Sequence, residues 1–586
     1  MRVLFCSWQP AQRCLKTSSP AGAAKSEVPT ATASKYTRIM CRFLFIVAAG
    51  VGLVHAQVQE ARCAGSRDLH LTNGKIMTMD RQNTVVSEVI IQNGRFTAVG
   101  RNGETRTSPC TRAINLRGRT VTPGLIDNHN HIVLLGIRPG HDTRLETAGS
   151  IKDVQTAIAA RAKSVPAGEF ITAMGGWNQV QFAEKRLPTS AELDAAAPNH
   201  PVIVYQAFTG PAAVNTRAKA FFTSKGVAVN DTGTIAANAP SVAALNALRA
   251  IQTFEDQKRG TVDAMAYAAS VGLTTNVDMG AFLPPGMADI QDSFTFDGLA
   301  TADPFRMYDA FQALHQQGKM TTRLRIFFLS MDTRPDVPML KQRMYNIFPG
   351  LGDDMLKVSG IGEFASQWPL FGPATMPANY ETALQLIAKQ GWAFQQHSLS
   401  PVEDQLTAST FEKVNAVTPI RDLRWSIAHA PRIDQATLNR FKSLGAAIAV
   451  HPFGYLAGAA GAGPPLRMIL DSGIHAGAGS DSAQISTLNP WLIIYYMVTG
   501  KNSSGVLIND KQQVTRAEAL RLYTVENGWF LREESQLGSI EVGKLGDLIA
   551  LSDDYFDSAK VPDEAIKKLK SVLTVVDGKV VYDDLR

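Results

Sequence analysis

What most constrains this sequence is a repeat of short apolar runs, rich in β-branched residues, each separated from the next by helical patterning. Such runs mark parallel strands that are buried on both faces and joined by crossover helices. Eight are present, at residues 120–126, 272–277, 323–329, 355–361, 392–396, 424–428, 446–450 and 474–479. Eight units of this kind predict an α/β fold, a closed (β/α)8 barrel of the TIM type.

The spacing is uneven in one place. Residues 133–271 form a gap far longer than a crossover needs, and strand-like pieces at 170–174 and 201–208 predict an inserted subdomain there. The two chain ends read differently again. Residues 68–116 alternate apolar and polar around Asn73-Gly74 and Asn93-Gly94, and residues 537–551 and 572–582 repeat that style around Asp577-Gly578. Asn-Gly and Asp-Gly between alternating runs favour tight type I′ hairpins. We therefore expect residues 57–119 and 535–586 to form one composite β-sandwich, with the barrel spanning 120–534.

At 586 residues with 45% hydrophobic content, the chain can bury one large core and a smaller one. The formal charge of +6 raises the question of a nucleic-acid or anionic-membrane partner. Residues 1–56 carry seven basic side chains and a single acid, Glu27, which accounts for all of it. The remainder is balanced, and the basic-partner reading fails. Within that front segment, Met40 begins a basic start, an apolar run and a small-residue exit at Val54-x-Ala56, the pattern of a secretory signal peptide over 40–56. Residues 1–39 read as an upstream in-frame stretch, a long leader or a transit peptide. The mature chain, starting at Gln57, is expected to be periplasmic or secreted, without a stable membrane span. Removal of the leader leaves only Cys63 and Cys110, which flank the first β-rich segment and can make one disulfide.

Chemistry gathers where the runs end. The first leads into Asp127-Asn-His129-Asn-His131, whose two imidazoles lie on one side of an extended strand. His397, His429 and Asp481 follow three later runs. Four histidines and an aspartate on the C-terminal rim of a barrel predict a metal site where such barrels hold their active sites. Gly477, Gly479 and Ser480 before Asp481 allow either close backbone approach or a turn.

Pro123-Gly-Leu-Ile-Asp127-x-His129-x-His131, single histidines after strands 5 and 6, and Gly479-Ser-Asp481 after strand 8 resemble the amidohydrolase superfamily. The subgroup most resembled is the YtcJ-like amidohydrolase 3 family, which includes N-substituted formamide deformylases. The likeness spans about residues 68–582 and extends to Gly176-Trp177 and Val214-Asn215 in the insertion. It implies one or two divalent ions, zinc above all, held by His129, His131, His397, His429 and Asp481. It also implies a strand 4 bridging ligand, at the position of Lys357, which in relatives is commonly carbamylated. Here the residues that follow depart from the family pattern, with Gly360-Ile-Gly-Glu363 in place of an Asp-Gly-Ser. Glu363 is the alternative bridge, since a carboxylate ligates without modification. His451, closing strand 7, and Trp177 are candidates for the substrate pocket.

The mechanism so implied has the metal draw the pKa of water toward ~7. Asp481 then serves as general base and general acid in hydrolysis of a carbon–nitrogen bond such as an amide, formamide or cyclic amide. Two alternatives stand beside it. One is a metal-dependent hydrolase of a carbamate, ester or lactone, and the other a catalytically silent binding protein on the same fold. A small-molecule substrate follows in the first two readings, and a homo-oligomer is compatible with all three.

Overall fold

A computed structural model describes residues 63–285, 295–369, 373–482 and 486–585. The leader and the signal peptide expected over residues 1–56 lie outside the described residues. Residues 66–586 form one compact unit.

At its centre an eight-stranded parallel sheet curls into a barrel: β1 (Leu125–Asn130), β2 (Leu273–Asp278), β3 (Arg323–Phe328), β4 (Leu356–Glu363), β5 (Ala393–Ser398), β6 (Ser426–His429), β7 (Ala447–Val450) and β8 (His475–Ala478). Each strand pairs in parallel with the next in sequence. The helix Phe254–Val271 shows how local sequence sets the joins. Thr253 and Asp256 cap its start reciprocally, and Gly272 ends it in the left-handed region at φ 90°, turning the chain into β2.

The seam between β8 and β1 is closed largely by one side chain. Asn527 Nδ2 donates to the carbonyls of Ile126 on β1 (2.5 Å) and Ala478 on β8 (2.7 Å), while Asn128 Nδ2 donates to Asn527 Oδ1 at 2.9 Å. The glycines expected to permit either close approach or a turn serve close approach. A Cβ on Gly477 would lie 2.1 Å from Asn527 Oδ1, and one on Gly479 would lie 2.6 Å from Asn128 Oδ1. Neither glycine has a positive φ.

The first predicted run is two strands. Residues Thr120–Pro123 pair with Leu548–Leu551 and Lys75–Met77 in a terminal sheet, and only after Gly124 does the chain enter the barrel as β1. Gly124 packs against Thr274, which a Cβ would meet at 2.2 Å, so the break falls where no larger residue fits. As a result His129 lies within β1 rather than beyond it.

Both chain ends contribute to the six-stranded sheet, which joins Lys75–Met77, Val85–Val86 and Thr120–Pro123 to the three C-terminal strands Leu548–Leu551, Ser571–Val576 and Lys579–Asp583. A five-stranded sheet from residues 69–115 faces it across a shared apolar core containing Leu71, Ile91, Val121, Leu548 and Val575. Asn93-Gly94 makes a tight hairpin with both residues at positive φ, as does Asp577-Gly578. Asn73-Gly74 does not. The strands on either side of it enter different sheets, and Gly74 abuts Leu116. Cys63 and Cys110 are both disulfide-bonded.

The insertion after β1 carries its own five-stranded sheet, running from His141–Asp142 through Ile171–Met174, Val202–Tyr205 and Ala212–Val214 to Thr234–Ile235. Glu146 ties this layer to the loop after β8 by accepting from the Leu488 and Asn489 amides at 2.9 and 3.1 Å. No helix among the described residues is long and apolar enough to cross a membrane.

The N-terminal end of the barrel is sealed by buried charge. Arg323 makes a two-pronged pair with Asp547 at 2.7 and 2.8 Å, and Arg325 pairs with Glu533 at 2.9 Å. Removing one partner of such a pair strands the other charge in a dry interior, a larger loss than the pair's net contribution. We expect Asp547→Ala to lower stability by about 3–5 kcal/mol, read as an earlier midpoint in denaturant unfolding. An unchanged midpoint would show that Arg323 finds another partner.

Candidate active site

At the C-terminal end of the barrel the strands deliver a cluster of imidazoles and carboxylates. His129 and His131 come from β1, Glu363 from the last position of β4, His397 from β5, His429 from β6, and Asp481 from the loop after β8. His129, Glu363 and His429 are buried, and His397 is half-buried. Two sets of ligand atoms, His129–His131–Glu363 and Glu363–His397–His429, each lie mutually within 4.8 Å. Glu363 belongs to both.

The histidine protons are fixed by their outer partners. His131 Nδ1 faces the Gly280 carbonyl at 2.9 Å, an atom that can only accept, and His129 Nδ1 donates to Gln395 Oε1. Both Nε2 lone pairs therefore point inward. His129 Nε2 lies 3.8 Å from Glu363 and 3.6 Å from Asp481, and His131 Nε2 lies 3.7 and 3.4 Å from the same carboxylates. His129 Nε2 is buried with no hydrogen-bond partner. Lone pairs facing carboxylates are repulsive until a cation or a proton lies between them.

Protonation follows the same demand. Burial works against a charge on His131, but Asp481 and Glu363 outweigh it and push the imidazole up to about 9. Burial prevails at His129, which falls to about 4. Glu363, although buried, is held well below the ordinary carboxylate range by His397, His429 and His129. Each set offers donors that could hold a divalent cation, and four imidazoles with a shared carboxylate are donors a borderline ion such as zinc accepts.

His429 is oriented from behind. His451 Nδ1 accepts from the His429 backbone N–H at 3.0 Å and lies 2.8 Å from His429 Nδ1, so His429 carries its proton on Nδ1 and presents Nε2 inward. Burial, with the neighbouring imidazoles of His129 and His429, holds His451 well below the ordinary histidine value, which keeps it neutral and able to accept. His397 Nδ1 reaches Glu363 at 2.6 Å and stacks against Phe364 at 4.8 Å. His429, Ala430 and Asp481 adopt left-handed φ of 71°, 42° and 51°, held in part by bonds from Ala430 N to Ser398 O and from Asp481 N to His129 O. Non-glycine residues in that region are costly and concentrate at functional sites.

One expected ligand is absent from the cluster. Lys357 sits at the opposite end of β4, where its ammonium pairs with Glu533 beside Arg325. Six residues at ~3.3 Å rise separate it from Glu363 by roughly 20 Å, beyond the reach of a lysine side chain. Even spacing places both on one face but at different heights, and only Glu363 is at the histidine end.

His451 and Trp177 both line the cavity in front of the cluster. Trp177 is buried, stacks on Phe182 at 5.6 Å and donates to the Ala173 carbonyl at 3.3 Å. His451 also has the orienting contact to His429, which strand-end position did not reveal. Residue patterns also passed over Gln395 and Asp127, each two residues before a histidine of the cluster on the same strand face. Asp127 accepts from the backbone of His129 and from Ser480 N and Oγ, at 3.1, 3.0 and 2.5 Å, and burial raises it to about 6. Asp278, two residues before the Gly280 that holds His131, likewise rises to about 6 through burial.

The barrel is shared with solved metal-dependent hydrolases, and the cluster stands at its C-terminal mouth. This chain belongs to the Amidohydrolase family, whose model matches residues 112–582. It is 24% identical to the N-substituted formamide deformylase of Arthrobacter pascens, over 88% of this chain and 98% of the relative. It is 23% identical to the putative amidohydrolase YtcJ of Bacillus subtilis, over 87% and 98%. Among solved structures it resembles an atrazine chlorohydrolase variant from Arthrobacter aurescens TC1 with zinc and atraton. The TM-score is 0.51 at 19% identity, over 88% of this chain and 96% of the other.

The two strand 4 residues give opposite expectations for metal content. By elemental analysis of purified protein, Glu363→Ala loses most of its bound divalent metal, whereas Lys357→Ala keeps the wild-type amount. The reverse pattern would return the bridge to Lys357.

Proposed function

We propose that this chain is a metal-dependent hydrolase of non-peptide carbon–nitrogen bonds, acting outside the cytoplasm. The observation that carries the reading is Glu363, one carboxylate shared by two pairs of inward-facing imidazoles, with Asp481 beside it and an apolar cavity in front. With Glu363 in the strand 4 bridging role, the altered strand 4 motif does not favour the catalytically silent alternative. The deformylase relative acts, by its name, on N-substituted formamides, which fits the same bond class.

His129, His131 and Glu363 would hold one divalent ion, and Glu363, His397 and His429 a second. Ions bound there supply Lewis acidity, drawing the pKa of water toward ~7 and polarising a carbonyl. Asp481 Oδ1, 3.4 Å from His131 Nε2 and 3.6 Å from His129 Nε2, is placed to take the proton of an attacking water and pass it to the departing nitrogen. Gln395, Gly280 and His451 keep the histidine rings oriented throughout, because each fixes the tautomer that leaves the inward nitrogen unprotonated.

Support for export comes from the leader pattern over residues 40–56 and from two disulfide-bonded cysteines, a state that persists in oxidising compartments. Sequencing of the exported protein is expected to begin at Gln57. A mature chain that keeps residues 40–56 removes this part of the proposal.

For the chemistry, Asp481→Asn in metal-loaded protein is expected to cut turnover of an amide substrate by about 10²–10⁴-fold, with metal content retained. Wild-type activity in that variant sinks the role given to Asp481. Cleavage of esters or lactones with amides untouched moves the enzyme to another bond.

A further inference from the structure

The cavity in front of the site holds about 430 Å3, room for a small molecule bearing a ring. Its floor is the cluster of histidines and carboxylates, and its walls are a different chemistry. Phe208, Phe282, Phe296, Phe453, Leu329 and Leu456 line it. The rings of Phe208 and Phe282 both meet Phe296 edge to face, at 6.2 and 5.8 Å, so the wall is a packed aromatic surface rather than scattered side chains.

No lysine or arginine lines the cavity among the described residues. The internal segments outside them, 286–294, 370–372 and 483–485, contain none in their sequence. Among the described residues, the charged side chains that reach the cavity apart from the histidines are Glu363 and Asp481, both acidic.

Two consequences follow for a ligand. A carboxylate carried away from the scissile bond would leave water for a wall that offers it no cation, which is unfavourable. An apolar ring gains by the same transfer. Resting on the hydrolase reading above, we propose that the substrate is a neutral amide with an apolar, ring-sized substituent, and that the walls reject amides bearing a remote carboxylate. Specificity then comes from the aromatic wall, while the metal cluster is indifferent to the substituent.

The test compares three probes on purified, metal-loaded protein: N-(2-phenylethyl)formamide, N-methylformamide and N-[2-(4-carboxyphenyl)ethyl]formamide. Calorimetry on the Asp481→Asn variant measures binding of the two ring compounds without turnover. The expected result is a kcat/KM for the neutral ring compound about 100-fold above each of the others, with the same order of binding in the variant. Leu456→Arg places a guanidinium at the half-buried rim and is expected to narrow the gap between neutral and anionic ring compounds by about 10-fold.

Equal use of the anionic and neutral rings, or of the methyl and phenylethyl compounds, overturns this inference and leaves carbon–nitrogen hydrolysis standing. Selective binding of the neutral ring with no turnover of any amide does the opposite. Failure of both ring compounds to bind overturns the inference as well.

Discussion

Everything at the active site depends on how the barrel closes. β8 can approach β1 only because Gly477 and Gly479 carry no side chains where Asn527, Asn128 and the His129 backbone pass. Asn527 then bonds to both strands, and the amides of Ser480 and Asp481 reach the His129 carbonyl at 3.1 and 2.8 Å. That closure brings Asp481, more than three hundred residues away in sequence, against the first histidine pair. A methyl group at either glycine would have to push the seam apart, and a barrel tolerates little such movement because its interior is close-packed.

Charge is sorted along the barrel axis. At the N-terminal end, buried Arg323 and Arg325 and the Lys357 ammonium meet Asp547, Asp577 and Glu533. At the C-terminal end, Glu363 and Asp481 meet imidazoles. β4 contributes to both ends, with lysine near its start and glutamate at its finish. The first end is neutralised by fixed cations and closes the fold. The second presents lone pairs and carboxylates to one another, an arrangement a divalent ion would complete, and so it is the end to which the proposed chemistry is assigned. Around it the insertion and the barrel loops add an apolar cavity, and Glu146 ties the insertion to the loop after β8.

The sequence by itself determined the barrel, because buried parallel strands and their crossover helices write distinct periods into it, and seven of the eight runs lie within a few residues of their strands. Strands from both chain ends meet in one sheet, and the four histidines and Asp481 lie together at strand ends, positions visible in the sequence because β-branched runs stop there. Where it left choices, the missing quantity was position along an axis or partnership across the chain. Even spacing assigned Lys357 and Glu363 to one face but not to one end. Asn73-Gly74 carried the chemistry of a hairpin, yet its flanking strands enter separate sheets, with Gly74 packed against Leu116. His451, Gln395 and Asn527 act through hydrogen bonds to residues between 22 and 401 positions away. Local patterning encodes which faces are buried. Which groups meet on the buried side is decided only when the barrel closes, because only then are distant strand ends brought within a hydrogen bond of each other.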